Sequence, residues 1–161
     1  MVEKAVEPYL YRHDLLRDTA FMSALKTGAL PDGARLVAFI VISNAERAQA
    51  FYSGVLGLKF LKNDGFALVF EFNGTMLRAG IAQSVAPTHN TVLGWEVPDI
   101  SVAATKLTQS GIELKRMPGM KQDDLGIWTA PDGSKVAWFQ DPDGNWLSIS
   151  QHAYGPAPTA V

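Results

Sequence analysis

Side chains able to do chemistry are few in this 161-residue chain. There is no cysteine, so disulfides, thiolate nucleophiles, cysteine-ligated zinc and iron–sulfur clusters are excluded. Imidazole is available only at His13, His89 and His152. The three are scattered and match no metal-ligand spacing, so they read as surface histidines. Asp123-Asp124 offers two carboxylates side by side. Adjacent side chains point apart, so the pair reads as solvated rather than as an acid–base couple. No nucleophile, base and orienting acid stand in a recognisable arrangement. What remains is a set of aromatic and charged residues whose use depends on the faces that carry them. Chief among these are Phe39, Arg78, Glu96 and the four tryptophans Trp95, Trp128, Trp138 and Trp146.

Composition narrows the classes of partner. Lys+Arg number 14 against 16 Asp+Glu, so no basic excess exists to offset phosphates, and no nucleic-acid partner is expected. With 47% apolar residues the chain can fill a core, and its length suits one domain. No run of 18 apolar residues occurs, so no membrane span is expected. The N-terminus lacks the charged start, long apolar stretch and cleavage site of a signal peptide, which makes a cytoplasmic location the expectation. Residues 1–34 read as a helical arm. Asp14 can cap a helix over 14–27, Leu15, Met22 and Leu25 recur near helical spacing, Gly28 can end it, and Pro31-Asp32-Gly33 reads as a turn. The arm either packs on the domain or reaches a second subunit. Residues 153–161 read as a tail.

The elements that must position these side chains come in a repeat. Residues 35–152 read as a domain of two modules, about 35–86 and 87–152. LVAFIVISNAERAQAFYSGVLGLKF opens the first and TVLGWEVPDISVAATKLTQSGIELKR the second, with Val37 matching Val92 and Asn44 matching Asp99. Each opens on an apolar strand, 36–42 or 91–97, that ends at a helix-capping side chain, Asn44 or Asp99. The helices carry stripes at Ala45, Ala48, Tyr52 and Val55, and at Ile100, Ala103 and Leu107; Gly57 and Gly111 can end them. Strands follow at about 58–62, 66–72 and 75–82, then at about 126–130, 135–140 and 146–151. Asn73-Gly74 supplies a tight hairpin turn, while Pro131-Asp132-Gly133 and the DPDGN segment 141–145 mark the later turns. The order is βαβββ twice, an α+β fold of paired modules forming a curved mixed sheet around a cavity.

NAERAQAFYSGVLGLKF, LGWEVPDI and VAWFQDPDGNWLSIS resemble the vicinal oxygen chelate superfamily, which includes glyoxalase I, bleomycin-resistance proteins and extradiol dioxygenases. The resemblance covers about 36–152 and is nearest to glyoxalase-like proteins carrying LGWEV and GIWTAPDG segments. It implies four metal-ligand positions, usually His, Glu, His and Glu. These fall on Val37, on Arg78 or Leu77, on Val92 and on Ser148. Valine offers no donor and arginine repels a cation, so metal chemistry is not expected and no cofactor is assigned. The resemblance also implies that these positions face the cavity. Period-two alternation then turns Val37, Phe39, Val41, Val92, Gly94, Glu96, Trp146, Ser148 and Ser150 inward, and turns Ala38, Ile40, Ile42, Leu93, Trp95, Val97, Leu147 and Ile149 toward the helices. Trp128 and Trp138 depend on an uncertain register and read as core or dimer-interface packing.

The expected ligand-binding set is Phe39, Val41, Arg78, Gly94, Glu96, Trp146 and Ser148, an apolar lining with a few polar points. Glu96 and Arg78 form either a structural ion pair or polar anchors for a ligand. Gly94 leaves room for a close approach, so Gly94→Val is expected to keep stability while blocking a ligand. The Met117–Gly126 segment is either a lid over the pocket mouth or an ordinary loop. The leading reading is a metal-independent, homodimeric protein that binds a small apolar or aromatic molecule. One alternative is a lyase or isomerase with Glu96 as catalytic base and Arg78 stabilising charge. The other is a dimeric interaction module without a ligand.

Overall fold

The computed structural model describes residues 30–153. The helix expected over 14–27 lies outside the described residues. Pro31 accepts a hydrogen bond from the Ala34 N–H, closing the expected turn. From Leu36 onward the described chain forms one compact unit.

The first module holds β1 (Val37–Ile42), α1 (Ala45–Gln49), a π-helical turn (Ala50–Val55), β2 (Lys59–Asn63), β3 (Ala67–Phe72) and β4 (Thr75–Ile81). The second holds β5 (Thr91–Glu96), α2 (Ile100–Gln109), β6 (Trp128–Thr129), β7 (Lys135–Gln140) and β8 (Trp146–Gln151). Each half makes a four-stranded mixed sheet, in the orders β1-β4-β3-β2 and β5-β8-β7-β6, with the opening strand parallel to the closing one. The repeat read from the sequence is therefore a repeat of topology. Both helices start as their capping residues dictate. Asn44 is extended and accepts from the Arg47 N–H at 2.8 Å, and Asp99 does the same for Val102 at 3.0 Å. Asn73 at φ +46° and Gly74 at φ +83° make the two-residue turn between β3 and β4, where the strand twist requires positive φ at both positions.

The first helical stripe departs from expectation at its end. Ala48 and Tyr52 are buried, but Val55 is 38% exposed. After Gln49 the helix widens into a π turn, which takes an extra residue per turn, so Leu56 rather than Val55 follows Tyr52 onto the core. The sixth strand is also shorter than expected, two residues rather than five. Ahead of it, Arg116 donates to the Asp123 and Asp124 carbonyls, and Gln122 bonds the backbone of Met117, Lys115 and Gly126. At the start of the expected strand the Gly126 carbonyl accepts from Gln122 and the Ile127 N–H donates to the Asp123 carboxylate, so side chains there occupy backbone groups of the expected strand.

One core runs through both modules. Ile40, Ile42, Phe70 and Leu77 of the first sheet join Phe139, Leu147 and Ile149 of the second, with Tyr52 and Ile100 from the helical segments. Strand parity is as the alternation predicts: Ile40 and Ile42 are buried while Phe39 and Val41 are 68% and 47% exposed. The DPDGN turn fastens the halves together. Tyr52 donates its hydroxyl to Asp141 at 2.7 Å, and Asn145 donates to the Val41 carbonyl at 2.8 Å. Asp143 accepts from the Ser43 N–H and hydroxyl and from Arg47. Burial alone would raise the Asp143 carboxyl, but Ser43 and Arg47 together hold it below its ordinary value. Among the described residues no helix is long and apolar enough to cross a membrane.

Candidate functional site

The face of each sheet turned away from the helices is where the fold leaves its unusual side chains. Register decides which residues share it. Gly94 pairs with Ser148, and Ser148 with Trp138, so the three form one row across β5, β8 and β7. The next row runs Glu96, Ser150, Val136 and Trp128. Trp146 lies two residues from Ser148 on the same face. Trp128 and Trp138, whose register the sequence left open, are half-buried on this face with ring centroids 6.2 Å apart, not core residues. Trp95 is on the opposite face, stacked on Phe139. Three of the four tryptophans thus line the open face of the second sheet.

On the first sheet the same face carries Phe39 opposite Arg78 and Val41 opposite Gly80. Leu77 is 4% exposed and belongs to the core, so Arg78 is the β4 residue turned to the open face. Phe39, Val41, Val92 and Asn145 line a cleft of about 250 Å³ where the two modules meet. Gly94 and Glu96 border a different space, of about 310 Å³, with Ala38, Leu77 and Trp95. Of the seven residues expected around one cavity, Phe39 and Val41 line the first of these clefts, Gly94 and Glu96 the second, and Arg78, Trp146 and Ser148 neither. The Met117–Gly126 segment lines neither cleft, and its own side chains tie it down.

The expected Glu96–Arg78 pair does not form. Arg78 bonds Asp64 at 2.7 Å, and Glu96 bonds His152 Nδ1 at 2.9 Å. Each charge finds a nearer partner than the other sheet offers, so a Glu96 base assisted by Arg78 is not assembled. His152 is consequently not a lone surface histidine. Nothing in the spacing of Asp64 and Arg78 marks this pair; the β3–β4 hairpin creates it by laying β4 along β3, whose leading turn carries Asp64.

The Arg78 hydrogen bond, aided by the Ala67 and Phe66 N–H groups, lowers the Asp64 carboxyl from 3.8 to about 2. A depressed carboxylate stabilises the fold above its unfolded value and loses that contribution as pH falls through the folded one. Stability should therefore drop between about pH 4 and about pH 2, and Asp64→Asn should flatten that limb. Urea midpoints measured across this range check it; an unchanged slope in the variant refutes the assignment.

The fold and the open face define the class. A family model of the Glyoxalase/Bleomycin resistance protein/Dioxygenase superfamily matches residues 35–149, and the chain belongs to that superfamily. Among solved structures, a glyoxalase/bleomycin resistance protein/dioxygenase from Nocardioides is 17% identical, with a TM-score of 0.62 over 90% of this chain and 99% of that one. A superfamily member from Sphaerobacter thermophilus is 21% identical, with a TM-score of 0.60 over 76% of this chain and 100% of that one. Lactoylglutathione lyase from Agrobacterium tumefaciens is 19% identical, with a TM-score of 0.58 over 75% and 95%. These likenesses show the shared fold. No curated protein matches the chain.

The metal implied by the superfamily resemblance can be tested against the residues at its four positions. Val37 and Val92 have no donor atom, and Arg78 is a cation already bound to Asp64. Ser148 is 9% exposed and supplies a single hydroxyl. Among the described residues no three His, Asp or Glu side chains gather where an ion could be held. This set does not fit a divalent metal.

Proposed function

We propose that this protein binds a small, largely apolar or aromatic molecule on the open face of its sheets, without a resident metal. One observation carries the reading: the face on which the superfamily resemblance puts metal ligands here presents Trp128, Trp138 and Trp146 around Gly94 and Ser148. Indole rings offer flat apolar contact with a polar edge, which suits a planar ligand. The exposed Phe39 and Val41 extend the apolar surface across the module junction.

Naphthalene is a suitable neutral, planar probe. It should quench the intrinsic fluorescence saturably. Trp138→Ala should weaken its binding tenfold or more, about 1.4 kcal/mol, while Trp95→Phe leaves the affinity in place. Elemental analysis of protein purified without added metal should find no stoichiometric ion. Equal affinity in wild type and Trp138→Ala would remove the open face as the site, and one tightly held ion per chain would end the metal-free reading.

A further inference from the structure

A third cleft, of about 390 Å³, lies on the helix side, between the β3–β4 turn of the first module and α2 of the second. None of Trp128, Trp138 and Trp146 lines it, and it adjoins the 310 Å³ space through Phe72, Asn73, Trp95 and Glu96. Its volume falls within the roughly 300–1,000 Å³ usual for small-molecule pockets. Trp95 forms one wall, its ring fixed by stacking on Phe139 at 6.3 Å between centroids and 22° between planes. Leu107 and Phe72 add apolar surface.

Two independent features distinguish this cleft from a chance gap. The first is the π turn. A π turn within an α-helix is rare and occurs frequently at functional sites. Here it moves Val55 out of the core and into the cleft wall. The second is charge. Lys106, the one charged residue of α2, borders the cleft and makes no ion pair among the described residues. The acid at the other rim, Glu96, is held by His152. The cleft is thus apolar and flat-walled, with one uncommitted cation at its mouth.

From this we infer that the helix-side cleft is a second binding site, for an aromatic carboxylate. Its ring lies against Trp95 and Leu107, and its carboxylate pairs with the Lys106 ammonium. The site lies on the helix side of β5, across the strand from Trp128, Trp138 and Trp146, and its occupant bridges the two modules.

The test uses 1-naphthoate, with neutral 1-naphthamide as control, in a two-dimensional ¹H–¹⁵N spectrum of the whole chain. Single Trp→Phe variants assign the four indole signals. The Trp95 signal should shift saturably with 1-naphthoate. Lys106→Gln should weaken 1-naphthoate about threefold or more, the size an exposed charge pair supplies, and leave 1-naphthamide unchanged. Ser110→Trp, at an exposed position lining the cleft, should weaken both. An unmoved Trp95 signal overturns the inference, as does equal 1-naphthoate affinity in wild type and Lys106→Gln. Shifts confined to Trp128, Trp138 and Trp146 would put the probe on the open face, supporting the proposed function while refuting this second site.

Discussion

Replacing Asp141 with alanine is expected to lower the free energy of unfolding by roughly 3–5 kcal/mol, since hydrogen bonds to a charged group contribute ~1.5–3 kcal/mol each and several are lost at once. Asp141 is 5% exposed. One carboxylate oxygen accepts from the Tyr52 hydroxyl at 2.7 Å and from the Asn145 amide at 2.8 Å. The other accepts from the Asp143 and Asn145 N–H groups, each at 2.9 Å. Burial first, and then the facing carboxylate, push the Tyr52 phenol far above its ordinary range, so it remains a donor at every working pH. Without Asp141 a fully buried hydroxyl has no acceptor, and the turn that holds Val41 and Ser43 loses its internal frame. Tyr52→Phe should cost less, about 1–2 kcal/mol, because Asn145 still satisfies the carboxylate. A double-mutant cycle in urea should show the two residues coupled. Additive effects, or a loss under about 1 kcal/mol for Asp141→Ala, would mean that the two modules are fastened elsewhere.

Gly94→Val is expected to destabilise the fold, opposite to what strand propensity alone predicts. A Cβ built on Gly94 meets the Ser148 hydroxyl at 2.7 Å and the Ser148 carbonyl at 3.4 Å. The hydroxyl must rotate away to admit the Cβ, and the carbonyl is held in the ladder with β5. Gly94 therefore makes room for its cross-strand neighbour, not for a ligand or for Arg78. Overpacking of this kind costs ~1–3 kcal/mol. Gly94→Ala isolates the effect, and Ser148→Ala should rescue it, since the Ser148 Cβ lies 4.0 Å from the added methyl group. Thermal or urea unfolding of the two single variants and the double variant decides the matter. A Gly94→Ala variant as stable as wild type, or one that Ser148→Ala fails to restore, shows that the hydroxyl is not the obstacle.

What could be read from the sequence was set by short-range geometry. Asn44 and Asp99 cap helices through bonds to residues three positions on. Asn73-Gly74 turns a hairpin through its own backbone angles. The alternation of Phe39 and Val41 with Ile40 and Ile42 separates the two faces of a strand without reference to the rest of the chain. The repeat carried these rules from one module to the other, so the topology followed.

Choices among distant partners were decided by the tertiary structure. Glu96 pairs with His152, 56 positions away, and Arg78 with Asp64 across a hairpin. Asp141, legible only as part of a turn, becomes the acceptor for Tyr52, 89 positions away. Trp128 and Trp138 take the open face because the register of β6, β7 and β8 puts them there. Val55 leaves its stripe because one turn widens. Caps, turns and alternation depend on residues within about four positions of one another, which the chain order states directly. Ion pairs, register and close packing depend on separations of a few ångströms between segments, which are defined only once the modules have packed.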